Sequence, residues 1–146
     1  MKQKAARHRA KVTFWLILGG AAWLLAMRFA DTAPMTENAT VTPLLATGLA
    51  QDESRELAML TVEYPPGGST PVHTHHAQAL VYVLEGSIVM QVQEGPSVTL
   101  TPGQTWYEGP NDLHVVSRNA SKSKLAKYVV FMVKDKGAPI LTPVVE

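Results

Sequence analysis

The feature that most limits the fold is a series of short apolar segments, separated by turn residues, that begins at Glu56. As a group they are rich in Val, Leu, Tyr and Trp and are bounded by Gly, Pro, Asn or Asp. The segments are ELAMLTVEY, ALVYVLEG, SIVMQVQEG, SVTLTPG, TWYEGPND, LHVVSRN and LAKYVVFMVK. Short segments of this kind, with no helical pattern between them, are typical of a sandwich or barrel. We therefore predict an all-β fold.

Composition fits a single domain and excludes several classes of site. A chain of 146 residues is long enough to bury one core without help. Its 13 basic residues nearly balance its 12 acidic ones, so no general basic field for nucleic acid is indicated. The sequence contains no cysteine, which excludes disulfides, thiolate metal sites and cysteine nucleophiles.

Residues 1–30 have the layout of a membrane-targeting segment. A cluster of Lys and Arg is followed by Val12–Met27, which carries no charge. This layout is typical of a signal peptide or signal anchor, and the clustered positive charge stays in the cytoplasm. We expect a transmembrane signal anchor in the inner membrane, with the rest of the chain in the periplasm or another extracytoplasmic space. Secretion after signal cleavage is the alternative. A soluble helix fits poorly because the run is apolar on every face.

The remaining chain divides into three parts. Residues 31–43 are polar, contain proline and show no periodicity, which is typical of a linker. Residues 44–135 hold the strand-like segments and are predicted to form the β-barrel. Residues 136–146 contain two prolines and are expected to be a tail that packs as an edge segment or stays loose.

A histidine cluster lies at the start of the strand-like region, in the segment PVHTHHAQALVYVLEG. In an extended chain, His73 and His75 point to the same face and His76 points to the opposite one, since side chains alternate. A third nitrogen ligand has to come from elsewhere, and we expect it from His114. Neutral imidazole suits Fe, Zn, Cu and Ni, and three ligands leave positions open for substrate or water. The alternative is that the histidines are the polar lining of a ligand pocket without a metal.

Two motifs of the sequence resemble those of the cupin superfamily. The positions that fall on the first motif in register are Gly67, His73, His75 and Gly86, and the ending YVLEG is characteristic. The second motif is matched by Gly103 and His114, with its turn shifted to Gly109, Pro110 and Asn111 and with Asn119 one residue late. The resemblance covers about residues 45 to 135. It implies a small single-domain cupin with a double-stranded β-helix, or jelly-roll, barrel and a homodimer paired through strand edges.

One position departs from the cupin pattern. Where the first motif has its metal-binding Glu, the chain has Ala79. Gln78 is the candidate for an additional ligand, provided that a bulge turns it inward. The resemblance otherwise implies a variant with three histidine ligands, similar to the thiol dioxygenase and diketone-cleaving branches. In those branches histidines hold Fe(II), so iron is the preferred ion here, with Zn, Mn, Ni and Cu as alternatives.

Three functions are compatible with these residues. They are a metal-dependent dioxygenase acting on a small organic substrate, a metal-dependent isomerase or lyase, and a non-catalytic ligand-binding or sensory barrel. The side chains expected to line the pocket are Val81, Val83, Trp106, Tyr107 and Glu108, although Trp106 also suits core packing. Glu108 is in addition a candidate general base.

Overall fold

The computed structural model describes residues 39–144, which form two five-stranded antiparallel sheets. The first sheet has the order β1 (Thr40–Leu49), β2 (Asp52–Tyr64), β9 (Ala126–Asp135), β4 (Ala77–Glu85) and β7 (Thr105–Glu108). The second has the order β10 (Thr142–Pro143), β3 (His73–Thr74), β8 (Leu113–Asn119), β5 (Ile88–Val92) and β6 (Val98–Leu100). The prediction of an all-β fold is confirmed for these residues.

No helix within residues 39–144 has the length and apolar character needed to cross a membrane. The predicted anchor or signal segment, residues 1–30, lies outside the described residues. So does most of the predicted linker.

The core lies between the inner faces of the two sheets. Along β4, buried and exposed side chains alternate from Ala77 to Leu84 without a break, which is the pattern of a strand with one face against a core. The first sheet contributes buried side chains such as Leu60, Val81 and Met132, and the second contributes Ile88, Met90 and Leu100. Every segment predicted from the sequence as a strand corresponds to a strand of the structure.

Both ends of the described chain are built into the sheets. Strand β1 starts at Thr40, inside the predicted linker, and pairs with β2 along its length, with irregularities between Pro43 and Leu45 and between Gly48 and Leu49. Proline has no N–H to donate, so it is tolerated on an edge strand such as this one. In the predicted tail, Thr142–Pro143 pairs with His73–Thr74. The tail therefore packs as an edge segment, beside the histidines.

Two turns show why the motif residues occupy their positions. Gly86 has a φ of 70°, and a Cβ there would lie 2.2 Å from the Leu125 carbonyl oxygen, so only glycine fits. Asn111 has a φ of 71°, which confirms that it takes the left-handed conformation expected from the shifted second motif. The backbone N–H of Asn111 donates to the carbonyl of His75, which ties this turn to the histidine segment.

Candidate metal centre

The three predicted histidines come together at the junction of β3 and β8. His73 is directly opposite His114 in this antiparallel pair, and their rings are stacked with centroids 4.9 Å apart. His75 follows β3, and its ring centroid lies 4.8 Å from that of His73 and 5.0 Å from that of His114. All three side chains are buried. His76 is exposed, as predicted, and its Nδ1 lies 2.9 Å from Asn111 Oδ1.

Backbone carbonyls fix the orientation of two of the rings. The Nδ1 of His73 donates to the Pro71 carbonyl at 2.7 Å, and the Nδ1 of His75 donates to the Ile140 carbonyl at 2.6 Å. A neutral ring with its proton on Nδ1 has a lone pair on Nε2. The two Nε2 atoms lie 3.2 Å apart. Two lone pairs at this distance repel each other unless a cation lies between them.

His114 lies in the same polar cluster without a hydrogen bond of its own. Neither ring nitrogen has a hydrogen-bond partner within residues 39–144, although both are buried. A buried polar atom without a partner costs free energy. The carboxyl group of Glu108 lies close by, with its Oε1 3.7 Å from His114 Nδ1. His114 therefore presents a nitrogen that a metal ion would satisfy.

Glu108 brings a carboxylate into the cluster, so the expectation of histidine ligands alone is not confirmed. Its Oε2 lies 3.3 Å from His75 Nε2, and ligand atoms of His75, Glu108 and His114 all lie within 4.8 Å of one another. The carboxylate comes from β7, where Glu108 is the cross-strand partner of Ala79. From the sequence, Glu108 is expected as a pocket residue and candidate general base rather than as a ligand, because the register of β7 against β4 is not visible in either strand alone.

Gln78, the candidate for an additional ligand, does not join the histidines. It is exposed on the outer face of β4, between the buried side chains of Ala77 and Ala79. An inward turn would need a bulge at this point. The alternation of β4 and its pairing with β9 are both regular here, so Gln78 faces away from the site.

Burial disfavours the charged form of every group in the cluster. It raises the pKa of Glu108 to about 7, with a smaller contribution from Asp112. It also lowers the pKa of His114 to about 4, with the neighbouring His73 and His75 adding to the effect. The pKa values of His73 and His75 are lowered too, mainly by burial, although their hydrogen bonds to the backbone oppose this. Near neutral pH the imidazoles are therefore neutral, as metal ligation requires.

The arrangement fits a first-row divalent ion. Two nitrogens that each lie about 2.1 Å from one ion are about 3 Å apart when their bonds meet near a right angle. The separation of the two Nε2 atoms, 3.2 Å, agrees with this value. The second ring nitrogens of His73 and His75 donate to carbonyls, which is the usual way in which ligand histidines are oriented.

A cavity of about 290 Å³ opens next to the cluster. Its polar end is formed by His73, His75 and Glu108. Its walls are formed by Ala39, Val41, Leu60, Val62, Ser69, Thr70, Pro71, Tyr128, Val130, Met132, Ile140 and Leu141. None of the cavity-lining side chains within residues 39–144 is a lysine or an arginine. The walls are therefore mostly apolar, with Ser69, Thr70 and Tyr128 as their polar residues.

Of the side chains predicted to line the pocket, the cavity includes Glu108 but not the other four. Val81 and Val83 point inward as expected but pack in the core. Trp106 packs against the core, and Tyr107 is on the outer surface. The walls come instead from β1, β2, the segment before β3, β9 and the C-terminal segment. Alternation along β2 and β9 indicates which of their side chains face inward, so these wall residues could be predicted from the sequence. No local pattern marks Ile140 as a wall residue.

The chain resembles several solved structures. It matches the DMSP lyase DddQ from Ruegeria pomeroyi with 18% identity and a TM-score of 0.60, over 73% of this chain and 51% of that one. It matches a cupin-like protein from Thermotoga maritima with 19% identity and a TM-score of 0.58, over 74% and 77% of the two chains. An oxalate oxidase in complex with the substrate analogue glycolate matches with 22% identity and a TM-score of 0.57, over 73% and 55%.

These likenesses concern the fold, and the chain spans about half the length of the DMSP lyase. No curated protein sequence shows a significant match. The family model of the cupin domain matches residues 60–132, half of the 146-residue chain. The matched segment runs from β2 to β9 and contains all three clustered histidines and Glu108. The chain belongs to the cupin domain family.

Proposed function

We propose that the protein binds one divalent first-row metal ion through His73, His75, His114 and Glu108 and acts on a small organic molecule in the adjacent cavity. The observation that carries the proposal is the pair of Nε2 atoms 3.2 Å apart, each with its lone pair directed inward because Nδ1 donates to a carbonyl. A polar ligand pocket without a metal would not need to hold two acceptors in this arrangement.

The cavity favours a compact, largely apolar ligand with one polar end. Its walls are mostly aliphatic, with Ser69, Thr70 and Tyr128 as their polar residues, and the candidate metal ligands form one polar end. No lysine or arginine lines the cavity within the described residues, so the metal ion would be the cationic partner of an anionic ligand there. Oxalate and DMSP, which appear in the names of two similar structures, serve as comparison compounds in the assay.

The first candidate reaction is of the dioxygenase type. Bound Fe(II) would supply oxygen activation, whereas a redox-inert ion would supply Lewis acidity. The chain's own residues orient the ligand histidines through the Pro71 and Ile140 carbonyls, and the mostly aliphatic walls lie beside the site. This apolar setting suits dioxygen and a weakly polar substrate.

A metal-dependent isomerase or lyase is the second candidate. It is favoured by Glu108, a buried carboxyl at the polar end of the cavity, where it is placed to act as a general base. In this reaction Glu108 would take a proton from the substrate rather than act as a permanent ligand.

Reconstitution distinguishes these functions. The full chain is loaded separately with Fe(II), Mn, Ni, Zn and Cu and assayed with a panel of small thiols, diketones and hydroxy acids, with and without oxygen. Oxygen uptake that requires iron and one substrate class supports the dioxygenase. Turnover without oxygen supports the isomerase or lyase. Binding of the ion and ligand without turnover with any ion would indicate a sensory barrel, and failure to bind any ion would end the proposal.

We also propose that the barrel is exported and held at the inner membrane by residues 1–30. The support is the basic head followed by the uncharged Val12–Met27, and the clustered positive charge predicts the orientation. Reporter enzymes fused after residue 146 test it. A fusion active only outside the cytoplasm and retained in the membrane fraction is expected, whereas a soluble cytoplasmic fusion would refute it.

A further inference from the structure

Three hydroxyl groups form a hydrogen-bonded network beside the cavity. Tyr64, at the end of β2, and Tyr128, on β9, are buried on the inner face of the first sheet, with ring centroids 5.6 Å apart. The Tyr128 hydroxyl donates to the Tyr64 oxygen at 3.2 Å, and the Tyr64 oxygen lies 2.6 Å from Thr70 Oγ1. We call Tyr128, Tyr64 and Thr70 the hydroxyl network. Neither of its hydrogen bonds involves a candidate metal ligand.

The two ends of the hydroxyl network lie at the cavity, and its middle member lies behind them. Thr70 and Tyr128 both line the cavity, whereas Tyr64 does not and has no exposed surface. Backbone contacts fix the position of Thr70, because its N–H donates to the Ser117 carbonyl at 2.9 Å. The Asn119 side chain donates to the Tyr64 carbonyl at 3.4 Å, which holds the other partner. The network is therefore built into the wall and does not depend on a mobile side chain.

The number of protons in the network shows which hydroxyl remains available to a ligand. Burial raises the pKa of both Tyr64 and Tyr128, so all three oxygens carry a proton near neutral pH. Tyr128 uses its proton for Tyr64. A fully buried hydroxyl needs an acceptor, and Thr70 Oγ1 is the acceptor that lies within reach of the Tyr64 proton. The proton of Thr70 then has no acceptor within residues 39–144 and is available in the cavity.

The charge of the surroundings selects the kind of oxygen that Thr70 can bind. A threonine hydroxyl can donate to any oxygen acceptor. No lysine or arginine lines the cavity within the part of the chain that the structure describes, and the cavity already contains the carboxyl group of Glu108. A carboxylate held at Thr70, away from the metal ion, would lose its hydration without gaining a cation. A carbonyl or hydroxyl oxygen costs much less to desolvate, so Thr70 favours an uncharged acceptor.

We propose that Thr70 determines specificity by donating a hydrogen bond to an uncharged carbonyl or hydroxyl oxygen of the ligand. The cavity volume of about 290 Å³ is at the lower end of the range for small-molecule sites. A ligand that reaches the candidate metal ligands therefore also lies against Thr70. The inference rests on the proposed function and narrows its substrate class to short compounds with two polar groups. One group binds the metal ion, and the other is an alcohol or ketone oxygen.

Calorimetry of the full chain loaded with Zn tests the proposal with a series of straight-chain hydroxamic acids. The hydroxamate end binds the metal ion, and the far end is a methyl, hydroxyl or carboxylate group on chains of increasing length. At the best length, wild type should bind the hydroxyl-ended probe about 10-fold more tightly than the methyl-ended one. The reason is that a methyl group leaves the Thr70 proton without an acceptor. The carboxylate-ended probe should bind more weakly than the hydroxyl-ended one.

Substitutions separate recognition of the ligand from a structural role. Thr70→Val removes the hydroxyl at nearly constant shape and should make the affinities for the hydroxyl-ended and methyl-ended probes about equal. Thr70→Ser keeps the hydroxyl and should keep the preference. Ser69→Ala is the matched control, because Ser69 lines the same cavity outside the hydroxyl network, and this variant should also keep the preference. All three variants should bind Zn as tightly as wild type. A purely structural role of Thr70 would change the affinities for all probes together and leave their ratio unchanged.

The wild type alone decides the outcome if Thr70→Val does not fold. Equal affinities of wild type for the hydroxyl-ended and methyl-ended probes would overturn the proposal, as would tighter binding of the carboxylate-ended probe. A folded Thr70→Val that retains the preference would overturn it as well. Wild type that binds no Zn would end the proposed function together with this inference. Zn-loaded wild type without a preference would overturn only the role of Thr70.

Discussion

Glu108 lies directly opposite Ala79 in the antiparallel pair of β4 and β7. Both side chains are buried on the inner face, where the exposed fraction is 4% for Glu108 and 1% for Ala79. The carboxylate thus enters the histidine cluster from the neighbouring strand, across from the position where the cupin motif has its Glu. The small side chain of Ala79 leaves room for it.

This relationship predicts that the carboxylate can be exchanged between the two strands. Glu108→Ala should weaken metal binding by 10-fold or more, because one ligand and one negative charge are lost. Adding Ala79→Glu to that variant should recover most of the affinity, since cross-strand Cβ atoms lie about 5 Å apart. Titration calorimetry with Zn and Mn measures both steps. If Glu108→Ala binds as tightly as wild type, Glu108 is not a ligand.

The buried carboxyl should also affect the stability of the metal-free protein. Burial raises the pKa of Glu108 from 4.5 to about 7, so the folded state loses stability as pH rises from about 4.5 to about 7 and the loss persists above that. Its upper limit is about 3 kcal/mol. Glu108→Gln should therefore raise the free energy of unfolding at pH 8 but not at pH 4. Urea titration of the chelator-treated protein measures the difference, and equal effects at the two pH values would contradict the assignment.

The pH dependence of metal affinity should reflect the same group. Below about pH 7 a proton competes with the metal for Glu108, so the affinity should fall by up to about tenfold per pH unit. The pKa of His114 is lowered to about 4, so that ring competes only in more acid solution. In Glu108→Gln the decline between pH 7 and pH 5 should be much shallower. A decline of unchanged steepness would show that histidines alone are titrating.

The C-terminal segment is predicted to position a metal ligand. The Ile140 carbonyl accepts the hydrogen bond from His75 Nδ1, and the Ile140 side chain lines the cavity. Ending the chain after Ala138 should lower the metal affinity, because His75 loses the acceptor that fixes its orientation. Ile140→Ala keeps the carbonyl and should retain the affinity while altering ligand binding. Equal metal affinity of the truncated chain and wild type would show that this hydrogen bond has no positioning role.

Local pattern was enough to predict the strands and the histidine pair. The alternation seen along β4 correctly predicts that His73, His75, Val81 and Val83 all face inward. The turns at Gly and Asn mark the strand ends. What local pattern does not contain is register between strands. The pairing that brings Glu108 next to Ala79 depends on how β7 aligns with β4, and the sequence of neither strand shows that alignment alone.

The terminal segments were harder to predict for a related reason. β1 contains a proline and is exposed along almost its whole length, so it lacks the apolar alternation that identifies the inner strands. Strand β10 is only two residues long, and its place beside His73 follows from tertiary pairing. Val41 of β1 lines the cavity, and so does Ile140, which lies just before β10. Cavity walls were consequently the least predictable part of the site.

The metal content of purified wild type, His75→Ala and His76→Ala after reconstitution tests the central claim most directly. The two histidines are adjacent in the chain, but His75 is buried in the cluster and His76 is exposed. We predict about one equivalent of metal for wild type and for His76→Ala, and less than about a tenth of an equivalent for His75→Ala. Wild type without bound metal, or equal loss from the two variants, would contradict the account.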